Sequence, residues 1–396
     1  MKTVQSFGLT FLGLAAAAGL GYLVAGALAP PRPAHQPAGS VPVLEAAEDP
    51  APGRQAVPGP LDTTPSAAPA DPWVPMNNQG TRALEAGDYA AAEALFRECH
   101  QAEPENEVYR HNLAEALARI ARREREEESL YEESLVHLEE AVELAPDRRD
   151  LAVLLGQWRK EADLEQGFWL DSSLHFDLRY DPARDDLLHG SQPLLDRLEA
   201  AYADFLELYG VDPVPLGANK LRVSLYRKET FDRLTGLGDW AGGVFDGSIR
   251  IPVEDLAAED HQLSRVLRHE LSHAFTRELG GKGVPGWLNE GLAQWLENDG
   301  GNRLERARLD LRGHELFPLE RLEGSLASWS DRNAIRRAYA QSLALTEYIA
   351  REFGQQELFK MVAGCREGVS CAETFESSNL DSLDQVLADL AWDLGR

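Results

Sequence analysis

The spacing of apolar residues divides the chain into a helical first part and a mixed second part. Between residues 76 and 166 the apolar positions recur as they do on amphipathic helices. From Leu174 the period changes, and residues 175–180 and Leu221–Tyr226 alternate as strands do. An amphipathic helix is predicted between them, over residues 186–209, and the C-terminal third returns to helical spacing. The pattern predicts an α+β, mostly helical protein with a small mixed sheet.

A β-hairpin is predicted shortly after the second strand. Val244-Phe245 and residues 248–251 flank Asp246-Gly247, a dipeptide that favours tight turns between antiparallel strands. Gly242 and Gly243 precede the hairpin. They either permit a close approach of another group to the backbone or are ordinary loop glycines.

Residues of the helical part fall at the spacings of a 34-residue repeat: Gly80, Ala92, Phe96, Cys99 and Pro104. A second unit begins near Glu107, and residues 149–166 are predicted to form a capping helix. This pattern resembles tetratricopeptide repeats. The resemblance implies a short solenoid over residues 76–166 that packs against the following part of the chain or against a protein partner; plain amphipathic helical hairpins are the alternative.

The N-terminal segment has the features of a targeting signal. Lys2 precedes an apolar run over residues 7–29 that is about long enough to cross a bilayer. Small residues end the run, but Pro30 hinders cleavage there, which favours an uncleaved signal anchor over a cleaved signal peptide. Residues 30–75 form a Pro- and Ala-rich linker. We therefore expect a single-pass protein of the inner (cytoplasmic) membrane, with its soluble portion in the periplasm or outside the cell.

Composition narrows the possible partners. The chain has 396 residues and a formal net charge of −27, which argues against binding to nucleic acid or to an anionic membrane surface. Apolar residues make up 43% of the sequence, enough for packed cores. The acidity itself indicates little more than solubility.

The candidate chemistry lies in the segment His269-Glu270-Leu271-Ser272-His273. Two histidines one turn apart on a helix face the same way, so both can bind one metal ion, and the glutamate between them can act as a base. A catalytic zinc site needs a third protein ligand. Glu290 is the candidate, on a second helix predicted from Pro285 to Glu297.

Together with the following Trp-Leu-Asn-Glu-Gly-Leu-Ala segment (287–293), this motif resembles the gluzincin (peptidase MA-like) zinc metallopeptidases. The resemblance extends from about Leu174 to the C-terminus, and we assign residues 168–396 to this domain. It implies one Zn²⁺ per chain held by His269, His273 and Glu290, with Glu270 as general base. It also implies that Glu297 orients a ligand histidine.

Two further expectations concern the substrate. The family resemblance makes the second arm of the hairpin the sheet edge beside the metal, where an extended peptide would add as a strand. Related aminopeptidases carry a glutamate there that holds the substrate's free amine, and residues 242–246 contain none. This difference favours an endopeptidase. Tyr339 resembles the tyrosine that donates to the oxyanion in zinc aminopeptidases; its alternative role is core packing.

Two questions stay open at this point. Cys365 and Cys371 flank a short turn and form a disulfide in an oxidising compartment, or remain two unlinked thiols. The whole protein is a membrane-tethered, exported peptidase acting on peptides or proteins, or a scaffold whose repeats bind a partner and whose zinc domain is weakly active or inert. Glu270 favours the enzyme, because a scaffold would not need a base.

Overall fold

The computed structural model describes residues 71–184, 191–235, 243–254, 260–297, 301–326 and 329–395. These residues form fourteen α-helices and one mixed sheet of five strands, which confirms the α+β, mostly helical prediction. The predicted signal anchor and the linker up to residue 70 lie outside the described residues. Among the helices that are described, none combines the length and the apolar character needed to span a bilayer.

The chain divides into two compact units between Arg159 and Lys160. We call the described residues up to Arg159 the helical unit, and the residues from Lys160 onward the sheet unit. The division falls inside the fifth helix. The helices of the first part are α1 (Val74–Glu85), α2 (Tyr89–Ala102), α3 (Glu107–Glu126), α4 (Tyr131–Leu144) and α5 (Arg149–Glu165).

In the helical unit α1, α2, α3 and α4 pack in succession, each against the next along the chain. A Cβ on Gly80 would lie 2.6 Å from the Phe96 ring, so the glycine is what lets α1 and α2 approach. Ala92, Phe96 and Cys99 are fully buried. These are positions of the predicted repeat pattern, and their burial agrees with it, although the repeat family itself stays a prediction.

The sheet unit is built on strands in the order β1-β2-β3-β5-β4. Strand β2 pairs parallel with β3 and antiparallel with β1, and β5 pairs parallel with β3 and antiparallel with β4. The predicted strands are found as β2 and β3, whereas β1 was not predicted. The strands are β1 (Trp169–Ser172), β2 (Phe176–Tyr180), β3 (Leu221–Tyr226), β4 (Val244–Phe245) and β5 (Ile249–Pro252).

The hairpin is confirmed, but the edge assignment is wrong. Its second arm, β5, lies between β3 and β4, so the first arm, β4, is the edge strand at this end of the sheet. The physical reason is that β5 uses both of its hydrogen-bonding sides, one for β3 and one for β4. Gly247 in the turn has a φ of 106°, a conformation that favours glycine.

The remaining helices cover the sheet and enclose the core. Phe275 of α8 packs edge-on against Tyr202 of α6, with ring centroids 4.9 Å apart, which turns the opposite face of α8 toward α9. Strands β4 and β5 also pack on α8. These helices are α6 (Ser191–Tyr209), α7 (Lys228–Thr235), α8 (Asp260–Gly280), α9 (Gly286–Trp295), α10 (Asn302–Leu311), α11 (Arg332–Phe353), α12 (Gln355–Arg366), α13 (Cys371–Ser378) and α14 (Leu383–Leu394).

Candidate metal centre

The two histidines of α8 are buried and held in one orientation. His269 Nδ1 lies 2.8 Å from Glu297 Oε1, and His273 Nδ1 lies 2.9 Å from Asn289 Oδ1. Both partners are acceptors, so each Nδ1 carries the proton and each Nε2 keeps its lone pair. Neither Nε2 has a hydrogen-bond partner among the described residues. This is the state in which a histidine binds a metal.

The third candidate ligand, Glu290, comes from α9. Its Oε2 lies 3.6 Å from His269 Nε2 and 4.0 Å from His273 Nε2. The close packing of α9 on α11 depends on Gly291, where a Cβ would meet Thr346 Oγ1 at 2.1 Å. The glycine after Glu290 therefore lets α9 lie where its glutamate reaches the histidines of α8.

These three residues fit one metal ion. Their ligand atoms all lie within 4.8 Å of one another. Ligand atoms about 2 Å from a zinc ion are separated by about 3–4 Å. The distances from Glu290 Oε2 to the two Nε2 atoms, 3.6 and 4.0 Å, fall in this range. Burial, followed by the charge of His269, keeps the pKa of His273 well below its usual value, so the imidazole is neutral. Two imidazoles and a carboxylate form the donor set of a catalytic zinc site with an open position.

Glu270 lies in the same pocket but outside the ligand set. It is completely buried, and both carboxylate oxygens lack a hydrogen-bond partner among the described residues. Burial raises the pKa of the Glu270 carboxyl to about 8; the charge of His269 opposes this and Glu290 adds to it. A Cβ on Gly243 would lie 2.8 Å from Glu270 Oε1. The close backbone approach predicted for these glycines is thus found at Gly243, next to β4, while Gly242 lies outside the described residues.

Tyr339 of α11 is buried beside the two glutamates. Burial raises the pKa of its phenol well above the usual value, and the charges of Glu290 and Glu270 raise it further. Its hydroxyl has no hydrogen-bond partner among the described residues. Gln294 of α9 donates to the carbonyl of Tyr339 at 2.9 Å, which joins the two helices at this point. Tyr339 therefore directs an unused polar group at the pocket, which plain core packing would not require.

Glu297 follows the end of α9 and is held from several sides. Besides its contact with His269, Glu297 accepts a hydrogen bond from Arg265 Nη2 on its Oε2, at 2.8 Å. It also forms an ion pair with Arg303 of α10. Burial and then Arg265 and Arg306 lower the pKa of the Arg303 guanidinium, while Glu290 and Tyr339 oppose them. Arg303 therefore lies near the metal ligands as well.

The sequence interpretation did not identify four of these residues. Arg265 is one turn before His269 on the same helix, and Asn289 immediately precedes Glu290, so both had a signal in the motif spacing. Gln294, one turn after Glu290, had the same signal. Arg303 had none, because only the folded chain brings α10 to Glu297.

The two cysteines of the C-terminal part are neighbours in space. Cys365 at the end of α12 and Cys371 at the start of α13 are thiols with their sulfurs 3.3 Å apart. The hydrogen bond between them lowers the pKa of Cys365 and raises that of Cys371. The predicted disulfide is not formed here, and it stays a prediction for an oxidising compartment.

The fold and donor set define a candidate His₂Glu metal site carried on two packed helices. Residues 220–385 match the family model described as the Peptidase MA superfamily, and this part of the chain is a gluzincin-like domain. The match contains all the residues of the metal centre. No curated protein sequence matches the chain.

Proposed function

We propose that the sheet unit is a zinc-dependent peptidase that hydrolyses peptide bonds. The observation that carries this proposal is the convergence of two inward-facing imidazole Nε2 atoms on Glu290, with Glu270 and Tyr339 in the same pocket. A structural zinc site normally fills all four positions with protein ligands, and this donor set offers three. The family match supports the same class of reaction.

The residues divide the chemistry between them. His269, His273 and Glu290 would hold the zinc, which when bound supplies a Lewis acid that activates water and polarises a carbonyl. Glu270 accepts the proton of the attacking water at its carboxylate and passes it to the leaving amine. Tyr339 donates its hydroxyl hydrogen to the carbonyl oxygen as negative charge develops there.

We further propose that the enzyme is an endopeptidase that binds an extended substrate along β4. This strand is the sheet edge beside Glu270, as the contact of Gly243 with Glu270 indicates. Residues Gly243 to Asp246 include no glutamate that could hold a free amino terminus. A substrate strand is therefore recognised by its backbone and not by its end.

The proposal also includes membrane anchoring, export of the soluble portion and binding of a protein partner. Residues 1–29 would anchor the protein in the inner (cytoplasmic) membrane, residues 30–75 would extend it, and the tetratricopeptide-like repeats of residues 76–166 would bind a protein partner. Protease added to spheroplasts should digest the soluble portion. Protection of that portion until the membrane is disrupted would contradict export.

The decisive experiment uses Glu270→Gln. Purified protein should contain one zinc per chain and cleave an unbiased peptide library, and a chelator should abolish the cleavage. Glu270→Gln should retain the zinc and lose about 10²–10⁴-fold in turnover, because an amide cannot accept the proton. Activity within tenfold of the parent would remove Glu270 from the mechanism. A full phenotype in cells carrying Glu270→Gln would favour the scaffold alternative.

A further inference from the structure

The carboxylate that supports His269 has an unusual set of neighbours. Glu297 Oε1 accepts from His269 Nδ1 and pairs with Arg303, while Oε2 accepts from Arg265 Nη2 at 2.8 Å and from Nε at 3.3 Å. Glu297 is only 3% exposed. One carboxylate therefore meets two guanidinium groups and an imidazole, all within the protein.

The two arginines reach Glu297 from different elements. Arg265 comes from α8, one turn before His269, and Arg303 comes from α10. Glu297 lies just after the end of α9, and its N–H still donates to the Gln294 carbonyl at 3.4 Å. The rotamer of its side chain is held by the contacts of the carboxylate, and the guanidinium groups supply two of them.

We propose that Arg265 and Arg303 are positioning residues for the metal centre. They fix Glu297 against His269 Nδ1, and thereby keep His269 Nε2 directed at the ion. This inference rests on the proposed zinc site, but it concerns only the residues around it. Partners of ligand histidines typically alter metal affinity by about 10- to 100-fold when they are removed.

The test measures zinc affinity by competition with a chromophoric chelator. Arg303→Met should weaken zinc binding by about 10- to 100-fold, and Glu297→Gln should weaken it by a similar factor. The double variant should be no weaker than the worse single variant, because both act through the orientation of His269. Arg303→Lys should recover part of the affinity, since it restores the charge but not the planar guanidinium.

A matched control comes from the same helix. Arg308 of α10 forms its ion pair with Asp393, at 4.0 Å, so Arg308→Met should leave zinc affinity unchanged. Arg265→Gln tests the idea on a more exposed side chain if Arg303→Met fails to fold. Each single variant leaves Glu297 paired with the other arginine, so its metal-free form should remain folded. A cooperative melting transition of that form shows that the lost zinc affinity is not a loss of fold.

The outcomes separate this inference from the proposed function. A parent protein that binds no zinc would overturn both. A parent that binds zinc, with Arg303→Met and Arg265→Gln within threefold of it, would overturn the arginine inference alone. Additive losses in the Arg303→Met, Glu297→Gln double variant would also overturn it, because the two residues would then act independently.

Discussion

Two buried charged clusters in the sheet unit differ in how their charges are matched. In the first, Arg250 of β5 pairs with Glu161 of α5 at 2.5 Å and with Asp246 of the hairpin turn at 2.6 Å. Arg250 and Glu161 are almost completely buried. This cluster, which we call the Arg250 cluster, neutralises its cation within the fold.

The candidate metal centre is the second cluster, and several polar atoms that its side chains direct toward one another are without a hydrogen bond in the described part of the chain. Its side chains are bonded on their outer sides, as His273 is to Asn289, while the Nε2 atoms and the Glu270 oxygens have no hydrogen-bond partner among the described residues. Leaving desolvated polar atoms without partners is costly. The contrast teaches that the Arg250 cluster matches its charges internally, whereas the second cluster brings together donor atoms suited to a cation.

The largest effect is expected at the metal centre itself. Glu290→Ala should reduce the zinc content from one ion per chain to nearly none, because two histidines alone leave too few donors. Elemental analysis after gel filtration measures this. Zinc should remain in Arg250→Met, since Arg250 is not among the candidate ligands. Full zinc content in Glu290→Ala would mean that Glu290 is not a ligand and that the second cluster does not depend on it to bind a cation.

The two clusters also differ in how far the sequence predicts them. His269, His273 and Glu290 follow from spacing on two adjacent helices, where local geometry fixes which side chains meet. The order of β4 and β5 in the sheet cannot be derived from spacing, because strand pairing depends on contacts between residues distant in sequence. Our edge assignment was wrong for that reason.

Contacts between distant elements were likewise beyond sequence reasoning. The partnership of Arg250 with Glu161 joins β5 to α5, and that of Arg303 with Glu297 brings in α10. No periodicity or motif encodes either pair. The sequence thus predicts the ligands and the base of the centre, while its supporting charges are found only in the folded chain.

The second prediction breaks the Arg250 cluster. Arg250→Met should lower the free energy of unfolding by about 3–5 kcal/mol, because it leaves the buried Glu161 carboxylate beside an apolar group, with the partly exposed Asp246 also unpaired from Arg250. Denaturant titration of the metal-free protein measures the change. Arg308→Met, which removes a partly exposed ion pair, should lower the free energy of unfolding by less than about 1 kcal/mol. Equal losses in the two variants would show that the Arg250 cluster is no more than a surface pair.

A smaller effect is expected where β4 approaches the base. Gly243→Ala introduces a methyl group 2.8 Å from Glu270 Oε1, so the carboxylate must move. Displacing a reacting group by about 1 Å costs about 10²-fold in turnover. Zinc content should not change, because Glu270 is not a ligand. Gly167→Ala, where a Cβ meets nothing within 4 Å, is a control for turnover. Unaltered turnover in Gly243→Ala would place the catalytic carboxylate away from β4.

The smallest effect concerns Cys365 and Cys371, which lie far in sequence from both clusters. Their sulfurs are already 3.3 Å apart, so little movement is needed to join them in an exported, oxidising compartment. Closing so short a loop should stabilise the protein by about 2 kcal/mol, which the serine double variant would lose. Zinc content should be the same in both proteins, since neither sulfur belongs to the metal centre. Mass spectrometry of unreduced tryptic peptides detects the bond directly. Two free thiols in protein recovered from the exported compartment would contradict the disulfide and also count against export.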